Sequence, residues 1–147
     1  MKVIFLDIDG VLSSMRSSAA LGGYPAAGSP TSWGKFDDTA VKLLQEAIRQ
    51  TGAIVVLSSS WRNEVNREAL QWRLGIRIED VTRSGTDAEP RGAQIHDWLI
   101  RHPGVETYAI LDDDDDMLQD QMPQLCRTSK RNGFLLGHYE ELCELLK

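Results

Sequence analysis

The chain lacks the features of a membrane protein and of a disulfide-stabilised secreted protein. None of its apolar runs approaches the roughly 18 residues that a membrane span requires. Only two cysteines occur, Cys126 and Cys143, and their apolar surroundings predict buried thiols, which fit a reducing compartment. The N-terminus leads directly into a strand pattern rather than a signal peptide. We therefore expect a cytoplasmic protein that does not associate with membranes.

The chain also lacks an excess of basic residues. It has 16 Lys and Arg against 22 Asp and Glu, which gives a formal net charge of −6. Such a protein has no overall positive field that would attract nucleic acid or anionic lipid. Five of the acids form one run at 112–116, so the rest of the surface is closer to neutral and has room for a local basic patch. The length of 147 residues predicts one domain over 1–147.

Short apolar runs alternate with helical patterns along the chain. This alternation predicts an α/β fold, a Rossmann-like three-layer sandwich with a central, mostly parallel sheet and helices on both faces. We expect strands near 3–6, 53–58, 76–81, 107–112 and 133–136, and helices near 38–50, 63–72, 91–101, 117–126 and 138–146. Residues 13–36 are rich in Ser, Ala, Gly and Pro without a sustained period, which predicts an irregular, flap-like insert.

Two carboxylates follow the first apolar run, in Asp7-Ile8-Asp9-Gly10. In open α/β sheets, ligands bind beyond the carboxyl ends of the strands. Two nearby carboxylates repel each other, and burying them costs several kcal/mol unless a cation or hydrogen-bond donors compensate. The position therefore predicts a metal site, a catalytic site or both, although a strand-to-turn junction with solvated acids has the same local pattern.

Three later segments carry polar groups at comparable positions. The run AIVVL at 53–57 ends in SSSWR at 58–62, the segment EPRG at 89–92 opens an amphipathic helix, and YAIL at 108–111 ends in the five aspartates. The order and spacing of the four segments resemble those of the haloacid dehalogenase (HAD) superfamily of phosphohydrolases. The resemblance covers most of the chain, and the insert at 13–36 is too short to be a large cap domain.

The resemblance implies that Asp7 is the nucleophile and Asp9 the general acid/base. A carboxylate that attacks phosphorus forms an aspartyl-phosphate and divides one difficult hydrolysis into two easier steps. The second acid would protonate the leaving oxygen and then activate water. Ser58 is the first candidate to bind a phosphate oxygen and Ser59 is the alternative, because a one-residue error in register is easily made here. We expect Ser60 to cap the following helix.

The resemblance also implies a Mg²⁺ site. Hard oxygen ligands beside a phosphate favour Mg²⁺. The expected ligands are the carboxylates of Asp7, Asp112 and Asp113 and the main-chain carbonyl of Asp9. Asp116 is the alternative to Asp113, since some members of the superfamily place their second acid three or four residues further on.

Two arginines are candidates for phosphate binding. Arg91 matches the basic residue of the family and would neutralise Asp7 and the phosphoryl group, unless it is simply an exposed helix-end arginine. Arg62 completes a Ser-x-Arg-like ending after the second strand that resembles polynucleotide 3′-phosphatases of this superfamily. The alternative is that Arg62 is a surface arginine in the first turn of the following helix. In the insert, Arg16 and Trp33 are candidates to contact a substrate, but for Trp33 we favour a role in pinning the insert to the core.

These observations lead to one main hypothesis and two alternatives. The chain is predicted to be a Mg²⁺-dependent phosphatase that hydrolyses a phosphomonoester through an aspartyl-phosphate intermediate, and an open site suits a polynucleotide 3′ end. A nucleotide or another small phosphorylated molecule is the alternative substrate. A non-catalytic binding module with the HAD fold is the alternative from a different class. A dehalogenase is disfavoured because it would not need Asp9.

Overall fold

The central layer is a sheet of parallel strands. A computed structural model describes residues 1–83 and 89–147. Its strands are β1 (Lys2–Leu6), β2 (Ile54–Leu57), β3 (Ile78–Val81), β4 (Thr107–Asp112) and β5 (Leu125–Arg127). Their order across the sheet is β3-β2-β1-β4-β5, and every neighbouring pair is parallel. This topology confirms the predicted α/β class, and the described chain has no large cap domain.

Helices connect the strands. They are α1 (Met15–Leu21), α2 (Asp38–Thr51), α3 (Arg67–Leu74), α4 (Arg91–Arg101) and α5 (Leu136–Leu145), with short 3₁₀ helices at Pro30–Lys35, Ser60–Asn63 and Gln119–Gln124. Helix α2 begins where the sequence predicts, because the Asp37 carboxylate accepts hydrogen bonds from the amides of Thr39 and Ala40. No helix in the described ranges is both long enough and apolar enough to cross a bilayer.

The sheet is buried on both faces because β1 is apolar and buried from Val3 to Leu6. Ile4 and Leu6 pack into one cluster together with residues of α2 and α5, whereas Val3 and Phe5 pack into a second cluster on the opposite face. In that second cluster the Trp98 ring of α4 meets the Phe5 ring edge-on at 5.4 Å. The continuous apolar run thus produces the three-layer arrangement and fixes which strand lies at its centre.

Two predicted elements after β4 are wrong, whereas the final helix predicted near 138–146 corresponds to α5 (Leu136–Leu145). The expected helix near 117–126 is a 3₁₀ helix that contains Pro123, and β5 follows it directly. Proline lacks the amide that an α-helix needs, and Leu125 and Cys126 are buried where they pair with β4. The predicted strand near 133–136 is instead a loop, in which Gly133 has a positive φ of 70° and leads into α5. The predicted helix at 63–72 also lies further along, because Asn66 caps α3.

The insert is more ordered than its composition predicts. Ser14 caps the N-terminus of α1, because its Oγ atom accepts a hydrogen bond from the amide of Ser17. The expectation of a wholly irregular segment is therefore wrong. Trp33 is buried and donates its Nε1 hydrogen bond to the carbonyl of Ala26 at 2.8 Å, which is the pinning role that we favoured. Cys126 is buried as predicted, whereas Cys143 is only half-buried, and both thiols are free.

Candidate active site

Neighbouring strands place Asp7 and Asp112 side by side. Leu6 is in register with Leu111, and the amide of Asp7 donates a hydrogen bond to the Leu111 carbonyl at 2.9 Å. The residues that follow the two strands therefore emerge together at one edge of the sheet. Carboxylate oxygens of Asp7, Asp112 and Asp113 lie within 4.8 Å of one another. Asp7 and Asp112 are only 7% and 2% exposed, so the first two members of the cluster are withdrawn from water.

Burial makes this cluster electrostatically unfavourable for bare carboxylates. The pKa of Asp7 is raised well above its usual value, mainly by burial and secondly by the negative charge of Asp112, whereas the positive charge of Arg91 opposes this shift. Burial also raises the pKa of Asp112 to about 7. Its Oδ1 accepts a hydrogen bond from the Asp114 amide at 2.9 Å, but its buried Oδ2 has no hydrogen-bond partner in 1–83 and 89–147. An unpartnered oxygen among three carboxylates fits a divalent cation with hard oxygen ligands, as Mg²⁺ is.

Gly10 and Thr128 shape the loop that brings Asp113 to this edge. Gly10 has a φ of 79°, and a Cβ atom there would lie 2.3 Å from an Asp113 carboxylate oxygen. Only glycine tolerates both the backbone conformation and the close approach. The Oγ1 atom of Thr128 donates to the Gly10 carbonyl at 2.6 Å, and the Thr128 amide donates to the Asp112 carbonyl. Thr128 could not be predicted from the sequence, because it belongs to no motif and follows a three-residue strand.

Asp9 lies at the exposed rim rather than in the carboxylate cluster. Its Oδ2 accepts a hydrogen bond from the Trp61 indole Nε1 at 3.1 Å. Partial burial raises the pKa of Asp9, and the Trp61 hydrogen bond counteracts this effect. An oriented acid beside a buried one is a suitable arrangement for proton transfer to and from an exposed ester oxygen. Sequence reasoning missed Trp61, because nothing in either segment indicates that two residues 52 positions apart meet.

The second strand supplies an unpartnered hydroxyl next to Asp7. Leu57 is in register with Leu6, and the amide of Ser58 continues the ladder by donating to the Leu6 carbonyl at 2.9 Å. Ser58 is fully buried, and its Oγ has no hydrogen-bond partner within the described ranges. The Oγ of Ser59 instead accepts from the Trp61 amide and caps the 3₁₀ helix, so the cap predicted at Ser60 lies one residue earlier.

The two predicted arginines have different environments. Arg91 opens α4, its charge lowers the pKa of both buried acids, and its buried Nη1 has no partner among the residues that the structure describes. Arg62 is held by its neighbours: Nη1 donates to the carbonyls of Ser58 and Ser59, at 3.2 and 2.7 Å, and Nη2 donates to Gln94 Oε1 at 2.8 Å. The pKa of Arg62 is lowered mainly by burial and secondly by the positive charge of Arg91. Arg62 thus fastens the chain after β2 beside the site.

The five aspartates are divided between two environments. Asp114, Asp115 and Asp116 are exposed, as in a solvated acidic loop. Asp115 forms an ion pair with Arg127 at 3.3 Å, and the Asp116 carboxylate accepts the Arg91 amide hydrogen bond at 3.1 Å. Asp116 therefore caps α4 and lies outside the cluster of three carboxylates, so the geometry favours Asp113 as the further metal ligand.

A cleft of about 710 Å³ opens beside Asp9 and Asp113. One wall comes from the insert, another from residues 60–64, and Lys130 contributes to the rim. Arg16 is exposed close to this region, where its guanidinium lies 3.5 Å from an Asp37 oxygen. The acidic cluster therefore communicates with a surface pocket large enough for an organic substrate.

The parallel sheet and the polar groups at three adjacent strand ends define a Rossmann-like α/β domain of the HAD type. A model of the family described as "HAD domain in Swiss Army Knife RNA repair proteins" matches residues 3–138, and the chain belongs to this family. The structure is similar to a hydrolase, the haloacid dehalogenase-like family protein SP0104 from Streptococcus pneumoniae. The two chains are 13% identical, with a TM-score of 0.46 over 96% of this chain and 90% of that chain. No curated protein sequence matches the chain.

Proposed function

We propose that this domain is a Mg²⁺-dependent phosphomonoesterase that acts on polynucleotide 3′-phosphate ends. One observation carries the proposal: Ser58 Oγ, Arg91 Nη1 and Asp112 Oδ2 are buried and have no partners in the described part of the chain. Two of these atoms are donors suited to phosphoryl oxygens, and the third is an acceptor suited to a cation. Buried polar atoms are rarely left without partners, and a bound phosphate and metal would supply partners for all three.

In the first step, a carboxylate oxygen of Asp7 attacks phosphorus. An O–P bond to Asp7 forms as the bond to the ester oxygen breaks, and Asp9 gives its proton to the leaving oxygen. Ser58 and Arg91 hold the phosphoryl oxygens in line with Asp7 and stabilise their developing charge. When bound by Asp7, the Asp9 carbonyl, Asp112 and Asp113, Mg²⁺ would supply positive charge to the phosphoryl group and the clustered acids.

In the second step, water hydrolyses the aspartyl-phosphate. Asp9, now ionised, removes a proton from water, whose oxygen attacks phosphorus and releases inorganic phosphate and the Asp7 carboxylate. Trp61 keeps Asp9 directed at the reacting oxygen through the Nε1 hydrogen bond in both steps. Asp9 ends protonated, which returns the site to its initial state.

The preference for a polynucleotide end comes from two features. The family to which the chain belongs is described by its occurrence in RNA repair proteins. The cleft beside Asp9 is also open on the protein surface, where the end of a long chain has access without passing through a closed cap. Nucleotides and sugar phosphates are the small-molecule alternatives.

Steady-state hydrolysis tests the proposal. A 3′-phosphorylated oligonucleotide, its 5′-phosphorylated isomer, a 3′-mononucleotide, a sugar phosphate and a phosphopeptide are compared with Mg²⁺ and with EDTA. We expect Mg²⁺-dependent release of phosphate with the highest kcat/KM for the 3′-phosphorylated oligonucleotide, and loss of turnover in Asp7→Asn. A preference for a sugar phosphate would reject the polynucleotide end. An inactive protein that still binds the oligonucleotide would identify a binding module instead.

A further inference from the structure

Exposed cations gather at one side of the cleft. The amide of Met15 donates to the Lys130 carbonyl at 2.9 Å, and the amide of Arg16 donates to the Arg131 carbonyl at 3.0 Å. These two bonds join the start of α1 to the loop after β5. They bring together the exposed side chains of Arg16, Lys130 and Arg131, which we call the cationic track. Lys130 lies on the rim of the cleft, and Arg16 and Arg131 continue the track across the adjoining surface.

Two of the three cations of the cationic track, Lys130 and Arg131, have no ion pair among the described residues. Arg49, Arg73, Arg77, Arg101, Arg127 and Lys147 are all ion-paired with nearby acids. By contrast, Lys130 and Arg131 form no salt bridge within 1–83 and 89–147, whereas Arg16 pairs with Asp37 at 3.5 Å. In a chain with a net charge of −6, three clustered cations of which two are unpaired form a local site for a polyanion.

The wall of the cleft offers a stacking surface. Tyr24 and Met15 line it and are 50% and 54% exposed, so both side chains present apolar surface to an occupant. Trp61, in the wall formed by residues 60–64, is buried. Unpaired nucleobases stack on exposed aromatic rings of this kind. The acids Asp9, Asp113 and Glu64 also line the cleft and disfavour phosphodiesters there, so the phosphodiesters of a polyanion are directed toward the side where Lys130 lies.

We infer that the cleft holds the terminal nucleoside of a single-stranded polynucleotide against Tyr24 and Met15, while the cationic track binds the phosphodiesters that precede it. This inference rests on the proposed function, because it places the scissile phosphate at the Asp9 and Asp113 end of the cleft. The insert and the loop at 129–133 then determine specificity, and the strand ends perform the chemistry.

The first test varies the length of the substrate. We expect kcat/KM to rise at least tenfold from a 3′-phosphorylated mononucleotide to a single-stranded octanucleotide, because additional phosphodiesters reach the cationic track. Binding of a fluorescent octanucleotide to Asp7→Asn, measured by anisotropy over a range of salt concentrations, gives a readout that does not depend on turnover. The double variant Lys130→Ala/Arg131→Ala should lose two contacts to phosphates. Because each contact to a single strand contributes about 0.7 to the slope of log Kd against log salt, this slope should fall by about 1.4.

Matched variants separate the track from general charge effects. Arg77→Ala/Lys147→Ala removes the same charge from exposed sites elsewhere, and we expect it to keep both the length dependence and the salt slope. Tyr24→Ala should weaken octanucleotide binding about tenfold, and Tyr24→Phe should restore it, because the ring stacks without its hydroxyl.

The outcomes distinguish this inference from the proposed function. Hydrolysis of 3′-phosphates with equal kcat/KM for the mononucleotide and the octanucleotide would overturn the track while leaving the phosphatase intact. Equal losses of binding in the track variant and its control would overturn it as well. Absence of any Mg²⁺-dependent hydrolysis would instead count against the proposed function, and salt-dependent binding to Asp7→Asn would still test the track.

Discussion

The metal-free domain should lose stability as the pH rises, because Asp112 is a buried acid with a raised pKa. Below about pH 4 this carboxyl is protonated in both the folded and the unfolded state. Above that, the unfolded chain releases its proton while the folded state retains it, so folding becomes less favourable until the pH passes the folded pKa of about 7. At about 1.4 kcal/mol for each tenfold change in proton affinity, the difference between 3.8 and about 7 corresponds to roughly 4 kcal/mol.

Asp112→Asn tests this reasoning by removing the titrating group and keeping its shape. We expect the variant in EDTA to become more stable than the wild type as the pH rises from 5 to 8, with a difference of a few kcal/mol at pH 8. This difference in unfolding free energy is measured by urea denaturation at each pH, with tryptophan fluorescence as the signal. Asp115→Asn is the matched control, because Asp115 belongs to the same run but is exposed.

Magnesium should reverse the effect in the wild type. A cation that binds only the folded state adds about 2.7 kcal/mol at a concentration one hundred times its Kd. We expect Mg²⁺ to stabilise the wild type at pH 8 and to have little effect on Asp112→Asn. The reasoning is refuted if the stability difference between the two metal-free proteins does not change with pH, or if Mg²⁺ stabilises both equally.

Further variants test the loop packing and the proton transfer. Gly92→Ala places a Cβ atom 2.4 Å from a buried amide oxygen and should cost about 1–3 kcal/mol in urea denaturation, whereas Gly34→Ala meets nothing within 4 Å and should not. Thr128→Val leaves a carbonyl without its donor and should cost about 1–3 kcal/mol by the same measurement. Asp9→Asn should reduce kcat by about 10²–10⁴-fold with an alkyl phosphate and less in single-turnover experiments with nitrophenyl phosphate. Trp61→Phe should lower kcat about tenfold without a matching rise in KM, since it removes one orienting hydrogen bond.

The strand ends could be predicted from the sequence because the strands are buried on both faces. A continuous apolar run identifies β1, and such runs also mark β2 and β4, so Asp7, Ser58 and Asp112 follow directly as the first polar residues. Parallel pairing then brings these positions to one edge. The edge strand β5 gave no comparable signal, since three residues show no periodicity and Pro123 lies just before them.

The contacts that orient the site could not be predicted in this way. Trp61 reaches Asp9 across 52 positions, and Thr128 reaches Gly10 across 118. Local patterns identify which face of a segment is buried, but they contain no information about which distant side chain lies opposite. The hydrogen bonds of Arg62 illustrate the same point: the motif places Arg62 after β2, but it does not indicate that the guanidinium donates to two main-chain carbonyls and a glutamine.

This arrangement separates the groups proposed for chemistry from those proposed for recognition. Asp7 directly follows β1 and Asp112 is the last residue of β4, and the hydrogen-bonded register of these central strands leaves both residues little freedom. Tyr24 and Lys130 lie on connections outside the sheet, where substitution changes the surface without disturbing the strand register. Substitutions at these outer positions should therefore alter the ranking of substrates before they alter the rate of phosphoryl transfer, whereas substitutions at the strand ends should abolish turnover for every substrate alike.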